Sequence, residues 1–479
     1  MTEKKMKTKI VATIGPASQS KPVLTEMIKA GVNVIRLNFS HGSYEEQLER
    51  VNLVRSVNKD LGTKTAILAD LQGPKIRTGM VPDAGITVKK GEQITFTNEP
   101  MMGTQEKISV QYHYFARDVS PGDQIMVDDG KLLYKVISTD KEKEVVLEAM
   151  VEGTIKSRKG INLPDTDISM PGLTEKDKED VDFIMSLEVN WIALSFVRSA
   201  NDIIELRDLI NSYDKAVKPK IIAKIEKPEA IKDIDKIISV SDGIMVARGD
   251  LGIEVPQEKV PVFQKQLVRK CLDASKPTII ATQMMEGMLS NVRPTRAEVS
   301  DVANSVLDGA DALMLSGETS VGSFPVEVVK TMRQIIQEAE SSEYPYHRKP
   351  LLASPESDRF VSDAVLNQSC ILAQQCGAAS INTLTNSGYS AFKLSSQRPN
   401  TKLFIFTNRP HLVHTLSLIW GVEAFYLEPK GSTSKTIEAM KRILSECNAL
   451  KKGDVIINLA SGPVYEFGKT NMLRLGKME

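Results

Sequence analysis

Eight short apolar runs recur along this 479-residue chain, and each run has a polar or charged residue at or near its end. The runs are TKIVATIG (Thr8–Gly15), VNVIRLNFS (Val32–Ser40), TAILAD (Thr65–Asp70), WIALSF (Trp191–Phe196), KIIAKIE (Lys220–Glu226), GIMVARGD (Gly243–Asp250), PTIIAT (Pro277–Thr282) and ALMLSG (Ala312–Gly317). An amphipathic helical stretch follows every run except the third, which a long insertion interrupts. Eight alternations of strand and helix predict a parallel (β/α)8 barrel, the TIM-barrel fold of the α/β class.

The ends of these runs carry the candidate functional side chains, because active sites of such barrels lie at the C-terminal ends of the strands. The ends are Arg36, Asn38, Ser40, Asp70, Lys224, Glu226, Arg248, Asp250, Thr282 and Ser316. Cationic side chains suit an anionic substrate, and paired carboxylates suit a hard divalent cation. The set indicates chemistry on an anionic substrate with the help of a metal ion.

The insertion consists of short alternating runs separated by Gly, Pro and Asp turns, which predict a small β-barrel module over residues 74–170. Its position above the strand ends favours a lid, and a decorative surface domain is the alternative. The flanking segments 1–73 and 171–343 together have the length of one barrel, roughly 250 residues. Residues 344–479 again alternate helices and strands, which predicts a separate C-terminal open α/β domain.

Composition excludes several other classes. The net charge is zero, so nothing overall favours nucleic acid or an anionic membrane surface. No apolar run approaches the roughly 18–20 residues that span a bilayer, and the polar N-terminus is unlike a secretory signal. The four cysteines are scattered without metal-ligand spacing, which predicts reduced thiols in a cytoplasmic protein.

The fifth and sixth runs predict a magnesium site. Lys224 and Glu226 are two residues apart on a strand and therefore point to the same side. Glu226 and Asp250, on neighbouring strands, would give two carboxylates with room left for water and substrate. A structural Lys–Glu ion pair is the alternative. The strand is expected to break into a turn at Gly249, whose exposed amides would bind an anion. Thr282 would hold a carboxylate or relay a proton, or else only cap a helix.

The second and third runs continue into two charged motifs, RLNFSHG and DLQGPKIRTG. The motifs contribute Arg36, Asn38, Ser40, His41, Asp70, Lys75 and Arg77. A guanidinium such as that of Arg36 suits bidentate binding of phosphate. Buried strand ends seldom carry so many charges without a ligand, which favours a binding site over a structural role.

Eight motifs together resemble the pyruvate kinase family, and the resemblance extends over the whole chain, including its domain order. They are TKIVATIGPAS, VIRLNFSHG, DLQGPKIRTG, GINLP, AKIEKPEA, IMVARGDLG, ATQMMEGM and RPTRAEVSDVANSVLDGADALMLSGET. The resemblance implies the glycolytic transfer of a phosphoryl group from phosphoenolpyruvate to ADP, giving ATP and, after protonation of the enolate, pyruvate.

The resemblance also implies roles for the residues at the reacting group. Lys224 would stabilise the transferring phosphoryl group and the developing enolate, and Arg36 would contact the phosphoryl group. Glu226 and Asp250 would hold Mg²⁺ (or Mn²⁺) between the carboxylate and the phosphate of the substrate.

Further roles concern the substrate carboxylate, the proton and the nucleotide. Gly249, the amide of Asp250 and Thr282 would receive the carboxylate, and Thr282 and Ser316 would lie near the proton route. The implied nucleotide-phosphate ligands are Asn38, His41, Arg77 and Lys159, with a second magnesium ion arriving on ADP.

One departure from the family pattern concerns potassium. Members that require K⁺ carry Glu directly after the Gly-Pro of DLQGPKIRTG, where this chain has Lys75. The resemblance implies that the Lys75 ammonium replaces the ion, so K⁺ is not expected to be required. The residues that match potassium ligands are Asn38, Ser40, Asp70 and Leu71, so a weak site stays an alternative.

A second departure lies in TNSGYS, which resembles the effector loop of the family. Thr385, Ser387, Gly388 and Ser390 match residues that hold a phosphate, but Asn386 replaces a Lys of bisphosphate-regulated members. The later segment SGPVYEFGKTN lacks their Trp and Arg. We therefore expect a sugar monophosphate or a similar small phosphate as activator rather than fructose 1,6-bisphosphate. An ordinary turn without an effector is the alternative.

Two other functions compete with this interpretation. Lyases or aldolases of the same fold bind pyruvate-like acids on magnesium, but they lack the inserted lid and the second basic cluster. An inactive relative that senses metabolites is the other alternative, although every catalytic position that can be matched is retained. The resemblance further implies a homotetramer.

Overall fold

The computed structural model describes residues 6–342, 345–346, 348, 353–429, 431–462 and 469–479. Eight parallel strands close into a barrel, as the alternating pattern predicted. The first segment of the barrel contains β1 (Lys9–Thr13), α1 (Lys21–Ala30), β2 (Val32–Asn38), α2 (Tyr44–Leu61) and β3 (Ala66–Asp70). The Ser43 hydroxyl accepts a hydrogen bond from the amide of Glu46 and so caps α2.

The inserted module follows β3 and is all-β apart from one short helix. Its elements are β4 (Ile86–Val88), β5 (Gln93–Thr97), β6 (Lys107–Ser109), α3 (Phe115–Asp118), β7 (Gln124–Val127), β8 (Leu132–Thr139), β9 (Glu144–Ala149), β10 (Gly153–Ile155) and β11 (Ile161–Asn162). They form a six-stranded sheet and a two-stranded sheet around one hydrophobic core. This core is separate from that of the barrel, so the module is a distinct packing unit.

The second segment of the barrel resumes with a capping box at Thr174. Its elements are α4 (Glu175–Leu187), β12 (Trp191–Leu194), α5 (Ala200–Ser212), β13 (Lys220–Ile225), α6 (Pro228–Lys232), α7 (Ile234–Val240), β14 (Gly243–Ala247), α8 (Arg248–Glu254), α9 (Val260–Asp273), β15 (Thr278–Ala281), α10 (Arg296–Asp308), β16 (Ala312–Leu315), α11 (Gly317–Ser320) and α12 (Pro325–Ala339). β16 pairs with β1 and closes the barrel.

The expected turn at Gly249 is wrong in detail. The strand ends at Ala247 and the helix α8 begins at once, with Gly249 in its first turn. A strand followed directly by a helix and a strand followed by a tight turn have the same short-range sequence signals, so the sequence did not separate them.

The C-terminal domain is built on a five-stranded sheet. Its elements are α13 (Phe360–Gln375), β17 (Ser380–Leu384), α14 (Tyr389–Ser396), β18 (Lys402–Thr407), α15 (Pro410–Thr415), β19 (Val422–Tyr426), α16 (Thr433–Glu446), β20 (Val455–Ala460) and β21 (Met472–Lys477). Four strands are parallel, as predicted, and β21 adds an antiparallel edge that the sequence did not reveal. The predicted boundary at 343/344 lies outside the described residues.

The C-terminal domain covers the N-terminal end of the barrel. A single helical turn, Leu416–Leu418, packs against β1, β2 and β3. Its buried leucines belong to the same hydrophobic cluster as the side chains inside the barrel. The opposite, C-terminal end of the barrel carries the charged residues and faces the inserted module.

Candidate active site at the C-terminal end of the barrel

A compact ionic network surrounds Lys224 at the end of β13. The Lys224 ammonium lies 3.0 Å from Glu226 Oε1 and 3.3 Å from Asp70 Oδ1. Arg36 Nε reaches the other oxygen of Asp70 at 2.6 Å. Lys224 and Glu226 thus point to the same side, as their two-residue spacing predicted. Glu226 and Asp70 are almost completely buried, and this end of the barrel links four charged side chains in the order Arg36, Asp70, Lys224 and Glu226.

The pKa directions separate the two buried carboxylates. Burial alone would raise the pKa of Asp70, but the charges of Arg36 and Lys224 outweigh it and hold the pKa below its ordinary value. The pKa of Glu226 is raised, first by burial and then by the neighbouring charge of Asp250, against the attraction of Lys224. The pKa of Lys224 is raised because Asp70 and Glu226 outweigh its burial. Lys224 is therefore cationic, and Glu226 is a carboxylate that an additional cation would stabilise.

Asp250 lies beside this network in the first turn of α8. Its nearest cation is the ammonium of Lys75, 3.8 Å from Oδ1. Both residues and Gly249 line a cavity of about 900 Å³ between the inserted module and the barrel. The amide of Gly249 donates to Thr282 Oγ1 at 2.7 Å, so this one of the expected anion-binding amides has a partner within the chain.

Thr282 caps no helix in its own segment, but its hydroxyl accepts a hydrogen bond from the amide of Gly249 in the first turn of α8. Thr282 has a positive φ of 68°, and its hydroxyl joins the end of β15 to the start of α8 through Ala281 O and the Gly249 amide. Arg248 Nη2 donates to Thr282 O at 2.9 Å, and Arg248 Nη1 pairs with Asp301 at 2.7 Å. A non-glycine residue held in the left-handed region is uncommon and is found more often at functional sites than elsewhere.

Ser316 lies at the end of the neighbouring strand, β16. Its amide donates to Glu318 Oε2 at 2.7 Å, and the other Glu318 oxygen accepts from the amide of Met285 at 3.1 Å. The buried Glu318 carboxylate thus fixes the loops after β15 and β16 relative to each other. Ser316 and Thr282 follow adjacent strands.

The candidate nucleotide ligands divide between the barrel and the inserted module. Asn38 ends β2, and His41, which is exposed, follows in the next turn. Arg77 and Lys159 lie on the facing segments of the module, which pair through Thr78 and Lys159. Arg77 Nη1 donates to Arg158 O at 3.2 Å, and Lys159 is 2.8 Å from Asp128 Oδ1.

The residues that match potassium ligands are already engaged within the chain. Asn38 Oδ1 accepts from the amide of Ser40 at 3.1 Å, and β2 pairs Asn38 with Asp70 in register. Both carboxylate oxygens of Asp70 contact cations, and Leu71 O accepts from the hydroxyl of Ser195 at 2.7 Å.

Sequence reasoning missed Ser195 and Phe196, which follow β12. Ser195 Oγ accepts from Lys224 Nζ at 2.7 Å, and the amide of Phe196 donates to Glu226 Oε2 at 2.7 Å. Phe196 has a φ of 55°, and its ring lies 5.8 Å from the ammonium of Lys75. WIALSF is the fourth apolar run, and Ser195 and Phe196 form its end, where functional side chains were expected. A serine and a phenylalanine, however, do not indicate a charged site.

The donor chemistry at Glu226 and Asp250 fits magnesium. Burial raises the pKa of Glu226 and the charge of Asp250 adds to the rise, and a divalent cation between the two carboxylates would oppose both effects. Within the residues that the structure describes, no three His, Cys, Asp or Glu side chains cluster as a metal site. A magnesium ion needs only one or two protein carboxylates when substrate oxygens and water complete its coordination.

A buried contact joins the inserted module to the barrel beside this site. Glu254 Oε1 accepts from Lys227 Nζ at 2.6 Å and from Asn162 Nδ2 at 2.7 Å. Asn162 belongs to the GINLP motif of the module, and Lys227 directly follows Glu226 in the sequence. The module therefore rests on a residue adjacent to the metal-site candidate.

The second candidate site is a cavity of about 250 Å³ in the C-terminal domain. Thr385, Ser387 and Ser390 line it, and Gly388, with a φ of 88°, begins helix α14. Gly388 N donates to Thr385 Oγ1 at 3.0 Å. The cavity is also lined by Lys469, from the SGPVYEFGKTN segment, and by Arg359, which sequence reasoning missed because it comes from a distant segment. Most of the SGPVYEFGKTN segment, residues 463–468, lies outside the described residues.

Other sequence expectations concern thiols and membranes. All four cysteines are free thiols, as their scattered positions predicted. Among the described residues, no helix is long and apolar enough to cross a membrane.

Comparisons with known proteins agree across the whole chain. Residues 5–329 match the family model described as pyruvate kinase, barrel domain, and residues 363–475 match pyruvate kinase, alpha/beta domain. The chain is 41% identical over 474 residues to the pyruvate kinase of Geobacillus stearothermophilus and 42% identical over 471 residues to that of Bacillus licheniformis. Each alignment covers 98% of this chain and 80% of the relative. A crystal structure of a pyruvate kinase from Cryptosporidium parvum matches with a TM-score of 0.91 and 34% identity, over 99% of this chain and 96% of that one.

Proposed function

Because the chain belongs to the pyruvate kinase family, we propose that it transfers the phosphoryl group of phosphoenolpyruvate to ADP at the site around Lys224, forming ATP and pyruvate. The enzyme is a phosphotransferase of glycolysis. The observation that carries the assignment of the site is the buried network in which Lys224 contacts Glu226 and Asp70 while Arg36 holds the other side of Asp70.

Phosphoryl transfer between two anions needs positioning and positive charge more than covalent help from the protein. Lys224 supplies a cation whose position is fixed by Asp70, Glu226 and the hydroxyl of Ser195. It acts on the transferring phosphoryl group and on the enolate oxygen as charge develops there. Arg36, oriented by Asp70 and Thr13, contacts the phosphoryl oxygens.

Glu226 and Asp250 hold the magnesium ion, which supplies a divalent charge that lowers the repulsion between the two substrates. Gly249, Asp250 and Thr282 receive the carboxylate of phosphoenolpyruvate at the start of α8. The hydroxyls of Thr282 and Ser316, at the ends of adjacent strands, lie on the proton route to the enolate. Manganese is expected to substitute for magnesium, because both prefer oxygen ligands.

The nucleotide binds between the barrel and the inserted module in this proposal. Asn38 and His41 contact its phosphates from the barrel, and Arg77 and Lys159 contact them from the module. Closure of the module, residues 74–170, excludes water, which otherwise competes with ADP as phosphoryl acceptor. The same division assigns 1–73 and 171–343 to the catalytic barrel and 344–479 to a regulatory domain.

Potassium is not required in this proposal, because the Lys75 ammonium places a permanent positive charge near Asp250. The engagement of Asp70 and Leu71 O within the chain supports it. We expect activity without potassium or sodium to be close to the activity in KCl, and a large stimulation by potassium would contradict the assignment.

The cavity at Thr385, Ser387, Gly388 and Ser390 binds a phosphorylated sugar that activates the enzyme. Support comes from the hydroxyls, the start of α14 and the cations Arg359 and Lys469 around one small cavity. Titration of sugar monophosphates and fructose 1,6-bisphosphate at subsaturating phosphoenolpyruvate tests it. We expect activation by a monophosphate. If neither ligand changes the activity, the segment TNSGYS is an ordinary turn that binds no effector.

The family implies a cytoplasmic homotetramer, and the reduced state of all four cysteines supports the location. Sedimentation of the purified chain tests the oligomeric state.

A coupled assay that measures pyruvate and ATP separately tests the function itself. We expect both products in equal amounts, only when ADP and magnesium are present. Consumption of phosphoenolpyruvate without ADP would indicate a lyase. Binding without turnover would indicate a metabolite sensor.

A further inference from the structure

A four-residue loop, Ser195–Arg198, touches three functional parts of the molecule. Ser195 Oγ accepts from the catalytic-lysine candidate, Lys224, and the amide of Phe196 donates to Glu226. At the other end of the loop, the guanidinium of Arg198 donates to main-chain carbonyls at the edge of the inserted module. The left-handed conformation of Phe196 turns the chain sharply between these two ends.

Arg198 binds the segment by which the module returns to the barrel. Its Nη1 donates to Ile168 O at 2.7 Å, and its Nη2 donates to Met170 O at 2.5 Å. A guanidinium presents two parallel donors in a rigid plane, which an ammonium cannot reproduce. Two contacts to carbonyls two residues apart therefore fix both the position and the direction of the return segment.

The backbone of Arg198 is itself fixed to the barrel. Its amide donates to Asp202 Oδ2 at 2.7 Å, and Asp202 also forms the capping box at the start of α5. The return segment passes close to the same carboxylate, because a Cβ at Gly172 would lie 2.6 Å from Asp202 Oδ1. Arg198 is thus anchored on a helix that does not belong to the module.

The module holds the same segment from the opposite side. The amide of Ser169 donates to Asp118 Oδ2 at 2.8 Å and to Tyr112 Oη at 2.9 Å. The Ser169 hydroxyl donates to Asp118 Oδ1 at 3.0 Å. The carbonyls of residues 168 and 170 therefore accept hydrogen bonds from the barrel, and the amide of residue 169 donates to the module. The return segment, residues 168–170, is thus bound on one side by the barrel and on the other by the module, and we call it the hinge.

The other crossing between barrel and module lies against the same loop. Gly73 has a φ of 67°, and a Cβ there would lie 2.7 Å from Ser195 O. Its amide donates to Asp177 Oδ1 at 3.0 Å. Both connections of the module, at 73 and at 168–170, thus contact the short stretch that also contacts Lys224 and Glu226.

We propose that Arg198 is a positioning residue that sets the orientation of the inserted module and couples it, through the loop Ser195–Arg198, to the reacting groups. Without the clamp, the hinge samples more orientations, and the productive closed arrangement over ADP becomes a smaller fraction of the total. The apparent affinity for ADP falls by that fraction. Phosphoenolpyruvate, which contacts the barrel in the proposed function, is much less affected.

The test compares Arg198→Met and Arg198→Lys with a matched control, Arg207→Met. Arg207 lies in α5, the helix that begins two residues after Arg198, and it also donates to a main-chain carbonyl, Val240 O, at 2.8 Å. Its carboxylate partner, Asp242, belongs to the barrel and not to the module. The measurements are kcat, the KM values for ADP and phosphoenolpyruvate, and hydrogen–deuterium exchange of residues 166–172.

We expect Arg198→Met to raise the KM for ADP roughly tenfold, as loss of charge-assisted hydrogen bonds implies. The KM for phosphoenolpyruvate should change less than about twofold while exchange at 166–172 becomes faster. Arg198→Lys should lie between this variant and the wild type, and Arg207→Met should change neither readout. Unchanged exchange at the hinge, or equal rises in both KM values, would overturn the proposal.

The inference rests on the proposed function for the identity of the two substrates, but its exchange arm does not. A wild-type protein that forms no ATP would refute the proposed function, and the exchange comparison would then decide the clamp by itself.

Discussion

Both ends of the barrel bury charged side chains, but only one end is a candidate active site. At the N-terminal end, Arg398 contacts Asp311 at 2.9 Å, and both are almost completely buried. At the C-terminal end, Lys224 contacts Glu226 and Asp70 at similar distances and similar burial. Burial of an ion pair therefore does not by itself identify a functional site.

The two ends differ in how the chain completes each network. Arg398 also donates to Gly309 O and Ser395 O and stacks on Trp420, while Asp311 accepts from the amide of Thr278. These partners join the barrel to the C-terminal domain.

At the other end, the Asp250 carboxylate has only the Lys75 ammonium, 3.8 Å away, as an ion-pair partner among the described residues and faces the cavity. Its charge adds to burial in raising the pKa of Glu226. The Arg398–Asp311 pair, whose charges are matched within the chain although Arg398 Nε has no hydrogen-bond partner in the part of the chain that the structure describes, has a structural role. A network that needs a further cation and opens on a cavity binds a ligand.

We call the C-terminal end of the barrel, which carries the cavity, the open end, and the N-terminal end, which the C-terminal domain covers, the closed end. The largest expected effect is on turnover at the open end. Lys224→Met removes the cation aimed at the reacting group, and loss of one such electrostatic contact lowers kcat about 10²–10³-fold or more. Thermal unfolding should remain cooperative. The measurement is steady-state ATP formation, with the exposed Lys215→Met as control. Near-normal turnover of purified Lys224→Met would refute the catalytic assignment.

The closed end should respond in the opposite way. Arg398→Met leaves Asp311 buried without its cation and should lower the free energy of unfolding by about 3–5 kcal/mol. The kcat of the folded fraction should change little. Chemical denaturation measures the first quantity and ATP formation the second. The double variant Arg398→Met/Asp311→Asn should recover part of the stability, because it removes the unpaired charge.

A charge reversal at the open end sharpens the comparison. Lys75→Glu replaces the ammonium near Asp250 by a carboxylate and so adds negative charge to a site that binds anions. We expect the activity without potassium to fall by at least about tenfold. Addition of KCl should restore much of the loss, while the wild type should change less than twofold. A variant that KCl fails to rescue would show that Lys75 does not occupy the place of the ion.

The smallest effect is expected from two histidines at the closed end. Burial lowers the pKa of His411 and of His414, against hydrogen bonds that raise it. The unfolded chain takes up protons near pH 6.5 while the folded chain stays neutral, so stability is present above pH 6.5 and is lost as the pH falls below it. Arg55, Lys64 and Lys220 would oppose any added charge there, and Glu188 would favour it.

Thermal unfolding between pH 7.5 and 5.5 measures this dependence. The double variant His411→Asn/His414→Asn should lose part of it. The exposed His113→Asn, in the inserted module, should keep it. Identical pH profiles for the wild type and the double variant would show that these histidines do not contribute.

The sequence predicted the parts of the molecule that periodicity determines. Eight apolar runs were enough for the barrel, because closed parallel strands are buried on both faces and read as continuous apolar segments. The two-residue spacing of Lys224 and Glu226 placed their side chains together, as the structure has them.

Main-chain contacts and long-range pairs were beyond the sequence. The amide of Phe196 reaches Glu226 through backbone geometry, which no side-chain pattern encodes. Arg398 is a single arginine in a loop, and its partner lies 87 residues earlier in the chain. The edge strand β21 alternates weakly and is largely exposed, so it has little of the burial that makes a strand visible.

The turn Leu416–Leu418 has a consequence for how this chain can be divided. Its leucines pack against the side chains inside the barrel at the N-terminal end. A fragment ending before residue 344 would therefore expose those apolar side chains to water. Such a fragment should aggregate or bind another apolar surface at that end. The barrel and the C-terminal domain are thus separate in sequence but share one hydrophobic cluster, so displacement of the C-terminal domain would alter the packing inside the barrel.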